Sequence, residues 1–369
     1  MNEISRIGMD TSKRIFVLHG VDAAERVVLR KKLRRSQVLG FFRELAPTKI
    51  GIEACGAAHY WARELTALGH EVVLLPPQYV KPYVKRNKND AADAEAICEA
   101  MGRPTMRFVP VKSAEQQAAL MLAGTRDALV RRRTQVSNTI RGYAAEFGFT
   151  APKGLKHIDP LLARIADDRD VPVLVKELFA DYARDYARVQ EQIARIERKL
   201  MAWHRHNELS RRLAGVPSIG PLTATLLAMK VPDPGAFRSA RDFAAWIGLT
   251  PKDHSTAGKM RLGVITRAGD EALRSSLVVG ATSVIQQVCK GRGNHSPWLL
   301  DLVRRKPPKL AAVALANKTA RIAWKLMVSG EHYDAQRAAR FVPPTDSIAP
   351  RSPRQGRFAP PSAVAAGQP

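Results

Sequence analysis

The chain has 369 residues, of which 45% are hydrophobic, and this size is typical of two or three domains that each bury a core. Lys and Arg number 59 against 34 Asp and Glu, and the resulting net charge of +25 favours nucleic acid as the partner, because a basic surface attracts polyanions. We expect a cytoplasmic protein without a membrane span, since no apolar run is long enough to cross a bilayer and the N-terminus has no secretory pattern. Cys55, Cys98 and Cys289 are far apart and form no CxxC pair, which argues against structural disulfides and a zinc site.

The first 110 residues predict an α/β domain. Residues 4–19, ISRIGMDTSKRIFVLH, place apolar residues on either side of a polar turn, and VDAAERVVLRKKL adds a further apolar run, which favours a three-stranded meander. Helix, strand, helix and strand follow between QVLGFFRELA and HEVVLLPP. This order matches the ribonuclease-H-like, or Holliday-junction-resolvase-like, layout, in which strands one and four and a later helix carry catalytic carboxylates.

Residues 111–208 predict a helical, coiled-coil-like region. The stretch from 111 to 147 is helical and charged, and between 174 and 205 apolar residues recur every three or four positions. Such a seam packs either on its own domain or on another chain, and the pattern does not separate the two. The seam consists of Leu178, Tyr182, Tyr186, Val189, Ile193, Ile196, Leu200 and Trp203.

Residues 209–334 predict a second basic, mostly helical region. Nineteen basic and six acidic residues between 211 and 330 leave a net charge of +13. Within it, LAGVPSIGPLTATLLAM has the pattern of a helix-hairpin-helix, in which Gly215 and Gly220 would let backbone amides approach a DNA phosphate. A hairpin between ordinary core helices uses the same Gly and Pro residues. Residues 335–369 hold seven of the chain's 24 prolines and predict a disordered tail.

Four carboxylates stand at positions that this layout would bring together. Asp10 follows one apolar strand, Glu53 ends another, and Asp90 and Asp93 share one face at the start of a helix, NKNDAADAEAI. Cleavage of a phosphodiester by two Mg²⁺ ions about 4 Å apart requires several such oxygen ligands. Taken singly, each of these acids is also typical of a turn or a helix cap. Together they predict a two-metal site.

A short loop bounded by glycines, in WIGLTPKDHSTAGKMRLGVITRAGDEALR, carries Ser255 and Thr256. Hydroxyls among cations suit a serine that attacks a phosphodiester, because the cations would stabilise the charge of the transition state. An isolated loop serine more commonly caps a turn. The surrounding basic residues are Lys252, His254, Lys259, Arg261 and Arg267, and all except the histidine are predicted to contact phosphate.

With these motifs, the chain resembles the DEDD transposases of bacterial insertion sequences, in the one-ten family that includes the Piv/MooV invertases. The resemblance covers most of residues 4–330 through GMDTSK, GIEACG, NKNDAADAEAI, GVPSIGPLTA and the serine loop. The wording HSTAGK resembles the eleven-eleven subgroup, although Ala257 stands where family members often have glycine.

The resemblance implies a transposase that cuts and rejoins DNA, with Mg²⁺ at Asp10, Glu53, Asp90 and Asp93 and with Ser255 as nucleophile. It further implies a homotetramer built as a dimer of dimers, a structured guide RNA from the element itself, and a bacterial, nucleoid-associated location. The residues also allow two other functions. One is a junction-resolving nuclease that uses metal-bound water, and the other is a non-enzymatic DNA-binding protein.

Overall fold

The computed structural model of the chain describes residues 3–84, 89–256, 261–293 and 295–334. The predicted tail, 335–369, lies outside these residues. Within the described ranges, no helix is both long enough and apolar enough to cross a membrane.

The N-terminal region is a mixed α/β unit with one central sheet, as its sequence predicts. Both the meander and the helix, strand, helix and strand that follow it are confirmed. The strands are β1 (Arg6–Asp10), β2 (Ile15–Val21), β3 (Val27–Arg34), β4 (Lys49–Glu53) and β5 (Glu71–Leu75). The helices are α1 (Val38–Arg43), α2 (Ala58–Ala67), the single turn α3 (Pro77–Val80) and α4 (Asp90–Met101).

The five strands lie in the order β3-β2-β1-β4-β5. Strand β1 pairs antiparallel with β2 and parallel with β4, and β4 pairs parallel with β5. Strand β3 forms one edge, where an exposed run from Arg30 to Lys32 discourages pairing with another sheet. The opposite edge is β5. The two central strands, β1 and β4, therefore run side by side and end at the same border of the sheet.

The two faces of β1 and β4 are packed differently, because successive side chains of a strand point to opposite faces. Ile7 and Met9 of β1, with Ile50 and Ile52 of β4, belong to a core that includes residues of α1 and α2. The opposite face of these strands is covered by α4. There Gly8 and Gly51 present no side chain, so α4 lies almost on the backbone of the sheet.

The middle region is a long helical hairpin. It consists of α5 (Ala114–Glu146), α6 (Ile158–Asp167) and α7 (Val173–His206). Helix α5 begins with a reciprocal cap, in which the Ser113 hydroxyl accepts from the Gln116 N–H at 3.1 Å and the Gln116 side chain accepts from the Ser113 N–H at 2.9 Å. The two helical segments predicted around 111–147 and 174–205 are thus confirmed.

The apolar seam of α7 packs within its own chain. Tyr186, Val189, Ile193 and Leu200 are buried, and Tyr186 shares a core with residues of α5 and α6. Only the outer end of the seam remains open, where Leu178 is 50% exposed. Of the two pairings that the sequence left open, the one within the chain is therefore present.

In the C-terminal region, the two longest helices are surrounded by shorter helices and one β-hairpin. Its core also includes residues of α5 and α7, so the helical hairpin is rooted in it. The helices are α8 (Glu208–Ala214), α9 (Pro221–Lys230), α10 (Ala240–Ile247), α11 (Glu271–Cys289), α12 (Pro297–Arg305) and α13 (Pro308–Ser329). The hairpin strands are β6 (Pro251–Asp253) and β7 (Leu262–Ile265).

The segment that leads into α5 connects the sheet region to the C-terminal region. His59 Nδ1 on α2 accepts from the Lys112 backbone N–H at 3.2 Å, and Arg63 donates to the Lys112 carbonyl at 2.8 Å. Burial, followed by the charges of Lys112 and Arg63, lowers the pKa of His59 to about 4, so its ring is neutral at pH 7. The ammonium of Lys112 also has a lowered pKa, because it is buried and lies near Lys230 of α9.

Gly8 tests whether the close contact with α4 positions the acids. A Cβ at this residue would lie 2.2 Å from the Ala94 carbonyl oxygen and 2.5 Å from the Cys98 nitrogen. We expect Gly8→Ala to push α4 outward and to lower the free energy of unfolding by about 3 kcal/mol, at the upper end of overpacking costs. Gly40→Ala on α1, where nothing lies within 4 Å of the added carbon, is the matched control. It should not destabilise the protein in urea, because alanine is favoured over glycine inside a helix by up to about 1 kcal/mol.

Candidate active site

Asp10 and Glu53 are neighbours at one border of the sheet. Met9 of β1 is paired with Ile52 of β4 in the parallel register. The residues that follow them, Asp10 and Glu53, therefore lie side by side. Asp10 lies two residues after Gly8, and Glu53 lies two residues after Gly51. Both glycines are on the face of the sheet that α4 covers. Because side chains alternate along a strand, both carboxylates point to the side of the sheet that α4 covers.

Helix α4 begins at the same border. Its N-cap is Asn89, whose side chain accepts from the Ala92 N–H at 2.9 Å, and Asp90 and Asp93 lie in its first turn. The helix runs antiparallel to β1, because Ala94 and Cys98 lie at Gly8 while Gly102 lies against Arg6. The acidic first turn is therefore the end of α4 that reaches Asp10.

The electrostatics of Asp10 show that the four acids share one neighbourhood. Burial, followed by the charges of Asp93, Asp90 and Glu53, raises the pKa of Asp10 from 3.8 to about 6. The donor set fits a hard divalent cation in its chemistry, since all four groups offer carboxylate oxygens and a cation would relieve their repulsion. In the part of the chain that the structure describes, no three His, Cys, Asp or Glu side chains are arranged as ready-made metal ligands. The carboxylates would have to draw closer around a cation.

Two residues that the sequence did not single out border this acidic group. The Thr11 hydroxyl lies 3.5 Å from the Cys55 sulfur; Thr11 directly follows β1, and Cys55 is the second residue after β4. The exposed Cys55 belongs to the tight turn after Glu53, where its N–H donates to the Glu53 carbonyl at 2.8 Å. The words GMDT and GIEAC contain both residues, but nothing in their spacing indicates that the side chains meet.

Ser255 lies at the end of the β6–β7 hairpin and is exposed. Its backbone N–H donates to the Asp253 carboxylate at 2.8 Å, and its hydroxyl accepts from the Arg261 N–H at 2.9 Å. The hydroxyl is thus held in place while remaining open to solvent. Its element belongs to the C-terminal region, whereas the four acids belong to the sheet region.

Asp253 is a third residue that the sequence did not single out. Hydrogen bonding from the Ser255 hydroxyl and then from its backbone N–H lowers the pKa of the Asp253 carboxyl. An Asp two residues before a serine is the pattern of an Asx turn, so the words KDHS contain a signal that could have identified it. Because its carboxylate is stabilised in the charged form, Asp253 is suited to orienting Ser255 rather than to removing its proton.

Exposed cations flank the serine. Lys252 and Arg261 lie on the two sides of the hairpin, and Arg267 follows it at the rim, where its N–H donates to the Gly248 carbonyl at 3.2 Å. The backbone at Gly248, after α10, is in contact with the backbone at Ala268, after β7, since a Cβ on Gly248 would lie 2.0 Å from the Ala268 oxygen. Lys259, the remaining predicted phosphate ligand of this loop, lies outside the described residues.

The predicted helix-hairpin-helix pattern forms a helix, a tight turn and a helix. Helices α8 and α9 are joined by a turn in which Gly215 and Gly220 are exposed, and α9 begins with Pro221. The first turn of α9 holds no acidic residue, so its N-terminal amides remain suitable for an anion. The turn is fixed from behind by the Ser218 hydroxyl, which lies 2.9 Å from that of Thr319.

Comparisons with known proteins place both halves of the chain in one family. Residues 7–147 match the DEDD model of IS110-type transposases, and residues 210–294 match the model described as Transposase IS116/IS110/IS902 family. A putative transposase y4pF/y4sB of Sinorhizobium fredii is 63% identical over 90% of this chain and 86% of its own length. A probable family 20 transposase of Pseudomonas aeruginosa is 47% identical over 88% of this chain and 97% of its own. The transposase for insertion sequence element IS1111A of Coxiella burnetii is 37% identical over 90% of this chain and 92% of its own. The chain therefore belongs to the IS116/IS110/IS902 family of transposases, enzymes that cut and rejoin DNA.

Proposed function

We propose that this transposase moves an insertion sequence by combining a Mg²⁺-dependent acidic site with covalent catalysis by Ser255. The observation that supports the first half is that Asp10 lies at one sheet border with the other three acids: burial, followed by the charges of Asp93, Asp90 and Glu53, raises its pKa. The second half rests on the fixed, exposed hydroxyl of Ser255 among cations. In this proposal residues 1–110 supply the acids, residues 111–208 the helical hairpin, and residues 209–334 the serine and the DNA-binding turn.

The N-terminal unit is proposed to be ribonuclease-H-like. Its strand order is β3-β2-β1-β4-β5, in which β2 is antiparallel to β1 and β1 is parallel to β4. This arrangement supports the assignment. So do its acids, which follow the first and fourth strands and begin a later helix. Membership of the DEDD family implies dependence on a divalent metal, and we propose two Mg²⁺ ions held by Asp10, Glu53, Asp90 and Asp93. When bound, the metal would activate the attacking group and stabilise the leaving oxygen.

The metal hypothesis predicts a pH-dependent stabilisation by Mg²⁺. The pKa of Asp10 is raised from 3.8 to about 6, so the metal-free fold loses stability as the pH rises from about 4 to above 6. We expect Mg²⁺ to raise Tm more at pH 7.5 than at pH 5, because protons compete for the same carboxyl. At one hundred times Kd the cation stabilises the protein by about 2.7 kcal/mol.

Asp10→Asn and Glu99→Gln are the paired variants for this measurement. Asp10→Asn removes a repelled charge, so it should raise Tm without metal, cancel the rise caused by Mg²⁺ and abolish strand cleavage. Glu99 is an exposed acid on the same helix, paired with Arg103, and its variant should keep the metal response. An equal Mg²⁺ response in wild type and Asp10→Asn would show that the acids do not hold the metal.

The serine step conserves the energy of the broken bond. The Ser255 oxygen forms a bond to phosphorus while the phosphodiester releases a DNA hydroxyl, and a DNA hydroxyl later attacks the phosphoserine and frees the serine. The cations Lys252, Lys259 and Arg261 would bind the phosphate. Arg261 fits this role because its backbone N–H already positions the serine oxygen. Asp253 would hold the loop from the other side.

A nicked suicide substrate tests the serine step, because loss of a short strand end prevents rejoining and accumulates any covalent intermediate. Wild-type protein should form a protein–DNA adduct in denaturing gels, and Ser255→Ala should form none. Thr256→Ala is the matched control and should retain the adduct.

An adduct that persists in Ser255→Ala would rule out this serine. Cleavage by wild type and Ser255→Ala alike, with no adduct from either, would favour the alternative in which metal-bound water cuts DNA as in a junction-resolving nuclease. The other alternative, a binding protein without catalysis, is disfavoured because the family consists of DNA-cutting enzymes.

The turn between α8 and α9 is proposed as the main DNA contact outside the serine loop. Gly215 and Gly220 are exposed there, and the first turn of α9 carries no competing acid. Together with Arg267 at the base of the hairpin, it would hold the DNA backbone without reading its sequence.

The remaining partners are a structured guide RNA and further copies of the chain. The net charge of +25 is compatible with holding RNA through its backbone, and the open end of the α7 seam at Leu178 offers apolar surface to another copy. In the cell we expect the protein to associate with the nucleoid, and in purified form we expect a homotetramer that retains RNA. Mass photometry before and after ribonuclease treatment should show a tetramer that loses the mass of the RNA. A monomer without nuclease-sensitive mass would contradict both expectations.

A further inference from the structure

A cavity of about 360 Å³ lies behind the α8–α9 turn. This volume falls within the range of roughly 300–1,000 Å³ that is typical of small-molecule sites. Four elements supply its walls: the turn, through Val216 and Pro217; α11, through Val284; the start of α12, through Ser296, Pro297 and Trp298; and α13, through Lys318 and its neighbours. Tyr333 closes a further side. The roles proposed above for the acids and the serine do not use this cavity.

The lining combines aromatic surface with a cation. Trp298 and Tyr333 are partly buried aromatic residues, and aliphatic side chains such as Leu315 and Ile322 add apolar surface beside the polar His295, Ser296 and Thr319. The Lys318 ammonium lies 3.9 Å from the centroid of the Trp298 ring. A flat, partly polar ring with an attached anion is the ligand that such a lining favours, because aromatic faces stack and the ammonium provides the counter-charge.

In the described ranges, the ammonium of Lys318 takes part in no ion pair with a carboxylate. Burial, followed by the charge of Arg321, lowers the pKa of Lys318. Arg321 itself lies further along α13 and is not among the residues that line the cavity. A half-buried cation that lacks a counter-charge disfavours the free protein and favours an anion, such as a phosphate, that enters beside it.

The cavity is coupled to the proposed DNA contact by its own wall. Val216 and Pro217 lie between Gly215 and Gly220, the two exposed glycines of the turn. The hydroxyl of Thr319, a cavity residue, lies 2.9 Å from that of Ser218 in the turn. A DNA strand held at the turn would thus pass the cavity, and strand exchange necessarily produces nucleotides without a pairing partner.

We propose that this cavity receives one unpaired nucleotide of the DNA held at the α8–α9 turn, with its base against Trp298 and its phosphate at Lys318. This inference rests on the proposed DNA-binding role of the turn. An already unpaired nucleotide is the favoured occupant, since extruding a paired base costs a few kcal/mol. The site would therefore distinguish DNA that is being opened from intact duplex.

The test compares a perfect duplex with the same duplex carrying one extra, unpaired 2-aminopurine at its centre. Full-length wild-type protein should bind the bulged duplex about tenfold more tightly by fluorescence anisotropy, the order expected of one base–aromatic stack. The 2-aminopurine emission should fall on binding, because stacking quenches it. Trp298→Leu and Lys318→Gln should each remove the preference and the quenching while leaving affinity for the perfect duplex nearly unchanged.

Lys309→Gln is the matched control, because it removes the same charge from an exposed site on the same helix and does not line the cavity. It should keep the preference. Thermal melting of each variant identifies a folding defect, and Lys318→Gln carries the test if Trp298→Leu is destabilised.

Equal affinity of wild type for the two duplexes, with no quenching, would overturn the cavity proposal and leave DNA binding at the turn intact. Binding of the bulged duplex alone would support the cavity and reject the turn as a duplex contact. Binding of neither would overturn both. A preference seen only with the same bulge in RNA would overturn the assignment to DNA.

Discussion

Two glycines in the central strands set the geometry of the acidic site. Gly8 and Gly51 leave the middle of the sheet bare on one face, and α4 packs there with its backbone almost touching β1. Any Cβ at Gly8 would collide with the Ala94 oxygen at 2.2 Å, so the contact is possible only with glycine. Everything at this border depends on that approach, because it brings the first turn of α4, with Asp90 and Asp93, to the strand ends that carry Asp10 and Glu53.

The same approach has an electrostatic consequence. Burial, followed by repulsion from the carboxylates of Asp93, Asp90 and Glu53 at the same border, raises the pKa of Asp10 to about 6. A purely structural site would gain nothing from this arrangement, whereas a cation turns the repulsion into binding energy. The C-terminal region shows the opposite case. There burial, followed by the charge of Arg321, lowers the pKa of Lys318 at the cavity wall, which is the corresponding condition for an anion.

The two halves of the proposed chemistry lie on different parts of the fold. The acids belong to a rigid sheet border, and Ser255 belongs to an exposed β-hairpin held by Asp253 and by the Arg261 backbone. The contacts that join the regions run elsewhere, through Lys112 with His59 and through Arg107, which lies 3.9 Å from Asp242. A complete site would thus require the β6–β7 hairpin to approach four acids that are not among the contacts described for it. Acids from another copy of the chain could fill this role in the tetramer proposed above.

Much of the fold was predictable from local patterns. Alternation of apolar residues indicated the strands, helical spacing indicated α5 and α7, and the GVPSIGP word indicated the turn between α8 and α9. The acids could be proposed because each ends a recognisable element. Asp253, Thr11 and Cys55 were missed, since their significance comes from which side chains they contact. Tyr186 and its seam were recognised as apolar, yet their partner, α5 of the same chain, could not be identified, because a stripe of apolar residues does not specify what covers it.

The sequence by itself indicated the partner class, the order of elements in the N-terminal region, the family and four acids proposed to bind metal, because charge, periodicity and sequence motifs are properties of the linear chain. Only the tertiary structure decided that the glycines before Asp10 and Glu53 are the contact points of α4. The tertiary structure alone also placed Trp298, Lys318 and the α8–α9 turn around one cavity. These features join residues far apart in the chain, and the distances between such residues are set by packing rather than by spacing.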